Sequence, residues 1–300
     1  MSRGVYPVLQ MPLDNSENID PVILEKEIEW LIELGAAGFV LAMVSEVMRF
    51  SAEERRQQWK QTLKIINGRR PLIVNIGAES TAVAVQQAKY AESDGVSILM
   101  ATPPAAYPAN SDEIYNYYRS IVLAVRIPLV VQDASNYMGQ PLSMDLYRRL
   151  LEEFGVSRIQ FKPEAAPVKD RVAEIQSMVG GTANIFEGQS GMDLLDTHPL
   201  GLFGTMPGSE ITWAIQALWD ALENGDRDRA NTIHQAISKL IEFQPTLDAY
   251  VAVEKYLLVK QGIFTSTRQR GPVGFKLDSE TCKAIDLTFE NLRKVVYSDS

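Results

Sequence analysis

Apolar residues along this chain fall into short runs, not long stretches. Eight runs rich in Val, Ile, Leu or Phe recur at 5–9, 38–42, 71–76, 96–100, 128–132, 158–162, 184–187 and 201–205. Near-continuous apolar runs of this length predict parallel strands covered on both faces. Helix signals lie between them. Asp20 before Pro21 reads as an N-cap with proline at the first helical position. Ser51-Ala52-Glu53-Glu54 has the form of a capping box. Segments 81–93, 111–125, 143–153, 167–178 and 210–223 also predict helices, and a short one follows the seventh run. Eight strand–helix units point to an α/β fold, a closed (β/α)8 TIM barrel over residues 1–224. The alternative is an open doubly wound sheet, but no G-x-G-x-x-G follows the first run. Beyond residue 225 the pattern changes. Segments 226–243, 247–261 and 279–297 predict helices with no strand among them. They are sparse in apolar residues for a core of their own, so 225–300 is expected to be a C-terminal helical region packed on the barrel. In the loop 266–272, Arg268 and Arg270 either meet a carboxylate or stay solvated, and the second is the plainer reading.

Composition narrows the function. Of 300 residues, 46% are hydrophobic, which excludes a disordered chain. Lys plus Arg is 29 against 38 for Asp plus Glu, a formal net charge of −9, and no basic block exists. That speaks against a nucleic-acid partner. No apolar run approaches the roughly 18 residues of a membrane span, and Met1-Ser2-Arg3-Gly4-Val5 lacks the apolar core of a signal peptide. Cys282 is the only cysteine, so no internal disulfide forms and a cytoplasmic location is expected. His198 and His234 are the only histidines, and no His-Cys or His-x-x-x-His cluster exists, so a zinc site is not expected, while an all-carboxylate magnesium site stays open.

In a barrel of this type chemistry sits at the C-terminal strand ends. The polar residues there are Ser45 and Glu46, Asn75, Thr102, Gln132 and Asp133, Lys162 and Glu164, Glu187 and Gln189, and Thr205. Of the twelve lysines, eleven fall on predicted helices or loops, and only Lys162 closes an apolar run. Alternation puts Gln160 and Lys162 on one face, with Ile159 and Phe161 on the other. An amine held in a barrel mouth is desolvated, which favours its neutral form, and a neutral amine attacks a ketone to give a Schiff base. From spacing alone, the plainer reading is a lysine that reaches water or pairs with Glu164. Ser45-Glu46 is either a holder of a substrate carboxylate or an ordinary connection. Asp133 is equally a catalytic group or a buried acceptor for loop amides. Gly188-Gln189-Ser190-Gly191 and Gly204 to Gly208 are either a phosphate cradle or plain turns, and plain turns are the better reading.

The order of these residues resembles the dihydrodipicolinate synthase / N-acetylneuraminate lyase superfamily of Schiff-base barrels. The resemblance covers most of the chain: Tyr6-Pro7-Val8, the Glu46 turn with Ser51-Ala52-Glu53-Glu54, Thr102-Pro103-Pro104, Ile127-Pro128-Leu129 and Phe161-Lys162-Pro163-Glu164. It implies that Lys162 is the Schiff-base lysine, that no metal or organic cofactor is needed, that the substrate is a small 2-keto acid, and that the enzyme is a homotetramer or homodimer. The departures are specific. The family's Gly-Thr-Thr-Gly-Glu is matched by Ala42-Met43-Val44-Ser45-Glu46. Its proton-relaying tyrosine on strand five is matched by Gln132, its carboxylate-binding arginine by Tyr137, and its Tyr-Tyr pair by Pro104-Ala105, with Tyr107 close. A glutamine amide does not relay protons at neutral pH, so lysine-pathway condensation is not expected to be efficient.

The chain is also similar to the 2-keto-3-deoxy-L-arabonate dehydratases. The shared features are the Ala-x-x-Ser-Glu turn from Ala42 to Glu46, Val131-Gln132-Asp133-Ala134, Phe161-Lys162-x-Glu164 and Glu187-Gly188. Met43 and Val44 depart from that branch, and so does Ala105, where it keeps an aromatic. The expected function is thus dehydration of a 2-keto-3-deoxy sugar acid, with Lys162, Glu164 and Gln132 catalytic. Val44, Ser45, Glu46, Asp133, Tyr107, Glu187, Gly188, Gln189 and Thr205 are expected on the substrate. Two alternatives are an aldolase or synthase using pyruvate, and a barrel that only binds a keto acid.

Overall fold

The computed structural model describes residues 2–106, 109–137 and 139–298. Its strands are β1 (Gly4–Val5), β2 (Phe39–Leu41), β3 (Leu72–Asn75), β4 (Ile98–Ala101), β5 (Leu129–Asp133), β6 (Ile159–Pro163), β7 (Phe186–Glu187) and β8 (Gly204–Thr205). All neighbours are parallel, in two ladders ordered β2-β3-β4-β5-β6 and β1-β8-β7. Single parallel bridges join the ladders at both ends, Phe161 to Ile185 and Val8 to Val40. These bridges close the sheet into an eight-stranded barrel.

The first strand is shorter than its apolar run because Pro7 has no N–H to give the ladder. The chain still passes extended between its neighbours. Tyr6 N donates to the Thr205 carbonyl at 2.8 Å, Val8 N donates to that of Pro207 at 2.8 Å, and the Pro7 carbonyl accepts from Val40 N at 3.0 Å. The eighth strand starts late because Gly201, at φ 86°, ends the preceding turn in the left-handed region.

The barrel helices are α1 (Pro21–Glu33), α2 (Ala52–Ile66), α3 (Thr81–Ser93), α4 (Ser111–Ala124), α5 (Met144–Phe154), α6 (Val168–Met178), the short α7 (Leu194–Thr197) and α8 (Thr212–Glu223). The caps work as their sequences require. The Asp20 carboxylate accepts from Val22 N and Ile23 N, and Ser51 and Glu54 exchange both capping-box bonds. Each such cap is worth about 1 kcal/mol. Three further helices follow: α9 (Arg227–Ile241), α10 (Leu247–Lys260) and α11 (Ser279–Tyr297). α9 packs against α8 and α11, and Ile233, Ile237, Phe289 and Leu292 join the core that covers the outer barrel face. α10 instead lies against the 3-10 turns Met43–Ser45 and Ser209–Ile211, which follow β2 and β8. It therefore closes over the end of the barrel where strands finish. Among the described residues, no helix is long and apolar enough to cross a membrane.

Alternation along the strands divides the buried residues into two sets. Tyr6, Val40, Ile73, Met100, Val130 and Phe186 fill the inside of the barrel. Their strand neighbours, such as Leu41, Val74, Val131 and Phe161, face the helices. The same parity decides which polar strand-end residues reach the mouth.

Candidate active site

Lys162 belongs to the inward set of β6, two residues beyond Gln160, and stands beside Gln132 of β5 in the ladder register. It is 4% exposed. Its Nζ donates to Glu164 Oε1 at 3.1 Å. The other carboxylate oxygen, Oε2, accepts from Gln132 Nε2 at 2.8 Å. Glu164 is thus gripped on both oxygens, and its carbonyl is held by Asn136 Nδ2 at 2.6 Å and Gln189 Nε2 at 3.2 Å. Burial pushes the Glu164 carboxyl above the usual range, while the Lys162 ammonium and the Gln132 amide pull back the other way. A carboxylate raised in this way is a stronger base than an exposed one.

These groups face a narrow cavity of about 40 Å³, room for a few water molecules. Its walls also include Met43 and Val44 from the turn after β2, Gly188, Tyr137, and Tyr250 and Glu254 of α10. Gly188 is glycine for a spatial reason. A Cβ there would lie 2.6 Å from Lys162 Cε and 2.8 Å from Glu164 Oε1. Gly188→Ala is therefore expected to force the amine and carboxylate apart. A displacement near 1 Å at reacting groups costs about 10²-fold. Steady-state kinetics should show that loss in kcat/KM, while thermal unfolding shows no more than the 1–3 kcal/mol or so of an overpacked site.

Other residues expected at the substrate sit elsewhere. Ser45 is fully buried, but its hydroxyl donates to the Leu9 carbonyl at 2.6 Å and accepts from Ala42 N at 3.0 Å, so it fastens the turn. Glu46, in the left-handed region at φ 56°, turns its carboxylate away from the cavity. There it pairs with the buried Lys255 of α10 and accepts from Arg270 N at 2.8 Å. Arg270 also meets Glu54 at 2.7 Å, so the loop arginine finds a carboxylate instead of solvent. Asp133 points outward, where it accepts from Ser135 N at 3.1 Å and Leu142 N at 2.9 Å beside the Tyr147 hydroxyl. It is an acceptor for loop amides, and it does not line the cavity.

Glu187 and Thr205 face outward in register with each other, and the Thr205 hydroxyl donates to the Glu187 carboxylate. That carboxylate also takes Gln189 N at 2.7 Å and Gly191 N at 3.1 Å, occupying amides a phosphate would need. Burial raises the Glu187 carboxyl to about 7. Tyr107 lies outside the described residues. Val44 and Gly188 do line the cavity, and Gln189 reaches it only through the Glu164 carbonyl. Among the described residues, no group of three or more His, Cys, Asp or Glu side chains is placed to hold a metal ion.

The cavity also contains groups that strand-end reading does not find. Tyr250 and Glu254 come from α10, and the Tyr137 and Tyr250 rings meet edge to face at 5.9 Å. Burial raises both phenols well above their usual range, with their mutual contact and Glu164 adding to the rise at Tyr137.

Fold and cavity together define a (β/α)8 barrel whose mouth presents a buried amine against a carboxylate. The chain belongs to the Dihydrodipicolinate synthetase family, whose profile matches residues 1–288. It is 27% identical over 278 residues to the L-2-keto-3-deoxyarabonate dehydratase of Azospirillum brasilense, covering 90% of this chain and 88% of that one. It is also 27% identical over 267 residues to the N-acetylneuraminate lyase of Escherichia coli strain SMS-3-5 / SECEC, covering 87% of this chain and 83% of that one. In fold it superposes on the 4-hydroxy-tetrahydrodipicolinate synthase of Methylacidiphilum fumariolicum SolV with a TM-score of 0.89 at 21% identity, covering 99% and 98% of the two chains. Membership makes this chain a lyase or aldolase of a family whose enzymes act on small keto acids through a lysine Schiff base.

Proposed function

We propose that this chain dehydrates a 2-keto-3-deoxy sugar acid through a Schiff base on Lys162. The observation that carries the reading is the buried chain of contacts Lys162–Glu164–Gln132 at the ends of two adjacent strands. Lys162 Nζ attacks the ketone, and loss of water leaves an iminium whose positive nitrogen draws electrons from C3. Glu164, 3.1 Å from that nitrogen, is placed to take the C3 proton. The C3–H pair becomes the enamine double bond. That bond then moves to C3–C4 as the C4 hydroxyl leaves. Gln132 holds Glu164 Oε2 and transfers no proton. We take the enzyme to be cytoplasmic, as its single cysteine suggests, and a homodimer or homotetramer, as the family resemblance implies, with 1–224 as the catalytic barrel and 225–300 packed upon it.

One observation favours the second reading, aldol cleavage: the Tyr137 and Tyr250 phenols line the same cavity. Cleavage needs a base for the C4 hydroxyl proton. Burial makes both phenols hold their protons more firmly than usual, which suits hydrogen-bond donation and not that task. The test is product analysis with a panel of 2-keto-3-deoxy acids. Dehydration keeps the carbon skeleton, so semicarbazide detects a keto acid and lactate dehydrogenase finds no pyruvate. Stoichiometric pyruvate release would overturn the dehydratase reading and leave the Lys162 chemistry standing.

A further inference from the structure

The cavity has a second carboxyl wall that the Lys162–Glu164 chemistry does not use. Glu254 projects from α10 and is 1% exposed, and its Oε2 accepts from the Gln10 side-chain amide. Glu210, in the 3-10 turn after β8, is fully buried beside it. Gly208 lines the cavity where the two meet. A Cβ on Gly208 would collide with Glu210 Oε2 and lie 2.6 Å from Glu254 Oε1. Both oxygens crowd one point, so they stand within about 5 Å of each other, and two buried carboxylates at that separation do not both ionise. The nearest buried ammonium, Lys255, is committed to Glu46 and the Arg268 carbonyl. Glu27 adjoins the same cluster and already accepts from Gln10 N at 3.0 Å and Ser209 Oγ at 2.7 Å. Burial, and then the neighbouring Glu210 and Glu27 carboxyls, push Glu254 well above its usual range, and burial raises Glu210 as well. The cavity also holds an acceptor in want of a donor, since Gln132 Oε1 is buried with no hydrogen-bond partner.

We infer that Glu254, buried against Glu210 at the Gly208 corner of the cavity where one of the two carboxyls must stay protonated, is the proton donor to the departing C4 hydroxyl. The inference rests on the dehydratase reading above. The step balances as follows. Glu164 takes the C3 proton, and the enamine pair forms the C3–C4 double bond. The C4–O bond breaks with its electrons on oxygen, and the Glu254 proton converts that hydroxide to water. Hydrolysis of the unsaturated iminium then frees Lys162, and exchange among the carboxyls and water restores both proton states. Gln132 Oε1 is left to accept from a substrate hydroxyl. A proton donor here fills the gap where the resembled condensing enzymes have a tyrosine and this chain has Gln132.

The test compares wild type with Glu254→Gln on two substrates, a 2-keto-3-deoxypentonate and its analogue with fluorine in place of the C4 hydroxyl. Fluoride leaves as an anion without needing a full proton, so its release does not depend on an acid. Dehydration by the variant should fall by roughly a hundredfold, the low end for a general acid. Fluoride release, followed with an ion-selective electrode, should stay within about threefold of wild type. Borohydride trapping of pyruvate on Lys162 should be unchanged in the variant, which checks its fold and nucleophile. Equal loss on both substrates, or loss on neither, would overturn the assignment to Glu254 and leave the dehydratase reading intact. Pyruvate release by the wild type overturns both together.

Discussion

Lys162→Arg is expected to abolish turnover while the protein remains folded. Arginine keeps a positive charge opposite Glu164, so the buried carboxylate 3.1 Å away is not stranded. Its guanidinium does not lose a proton at working pH and cannot add to a ketone. The extra bulk meets Gly188, where space beside Lys162 Cε is already short, and overpacking of that kind costs about 1–3 kcal/mol. Circular dichroism and thermal unfolding should therefore show a native protein of modestly lower stability. The positive counterpart uses wild type. Borohydride reduction with pyruvate or a 2-keto-3-deoxy acid should add the ligand's mass to the peptide containing Lys162. The other buried lysine, Lys255, serves as an internal control, because Glu46 and the Arg268 carbonyl hold its ammonium outside the cavity. An adduct on Lys255, or none with any keto acid, would remove the Schiff-base mechanism.

Most of the fold is written in short-range signals. The apolar runs, the Asp20–Pro21 start and the Ser51–Glu54 box are local, and each appears where its chemistry places it. What the runs do not show is how much of each is paired. β1, β7 and β8 each have two ladder residues; Pro7 breaks the ladder of β1, and Gly201 delays that of β8. Barrel closure depends on two single bridges, Val8–Val40 and Phe161–Ile185, and no local pattern encodes pairings between residues so far apart.

The site was legible where parity was applied and obscure where it was not. Elimination among the lysines points to Lys162, and alternation on strand six puts it on one face with Gln160. The same rule places Asp133 outside once Gln132 is inside, and places Glu187 outside once Phe186 is inside. Strand ends alone do not make that distinction, so half of the polar strand-end residues turn out to fasten loops. The α10 residues carry a different signal. Nine residues of this helix are buried, on more than one face. A helix that is apolar nearly all round through its middle is a buried one there, so charges in that middle are buried too, while Asp248 and Lys260 at its ends are not. Read that way, Glu254 and Lys255 stand out from the sequence as paired or functional groups, not solvated ones. Their destinations, one at the cavity and one at Glu46, follow only from where α10 lies across the barrel.

Glu164→Gln is expected to lower kcat by roughly 10²–10⁴-fold, the usual worth of a general base, with trapping on Lys162 preserved. The substitution is nearly isosteric. An amide in that place keeps one oxygen to accept from the amine, and its NH2 can donate to Gln132 Oε1, which otherwise has no partner, once the Gln132 amide turns over, so the contacts that orient Lys162 survive in large part. Only the capacity to take a proton from C3 is lost. Because attack on the ketone precedes that step, the imine still forms and borohydride still captures it. Hydrogen exchange separates the two events. Wild type should wash deuterium from the C3 methyl of pyruvate into water, since the enamine forms even when nothing can be eliminated. The variant should bind pyruvate covalently and exchange it at least a hundredfold more slowly. Loss of trapping along with exchange would instead make Glu164 a positioning residue for the amine. Exchange at the wild-type rate would transfer the base to another cavity group, and Tyr137 and Tyr250, whose protons burial holds in place, are poorly suited to it.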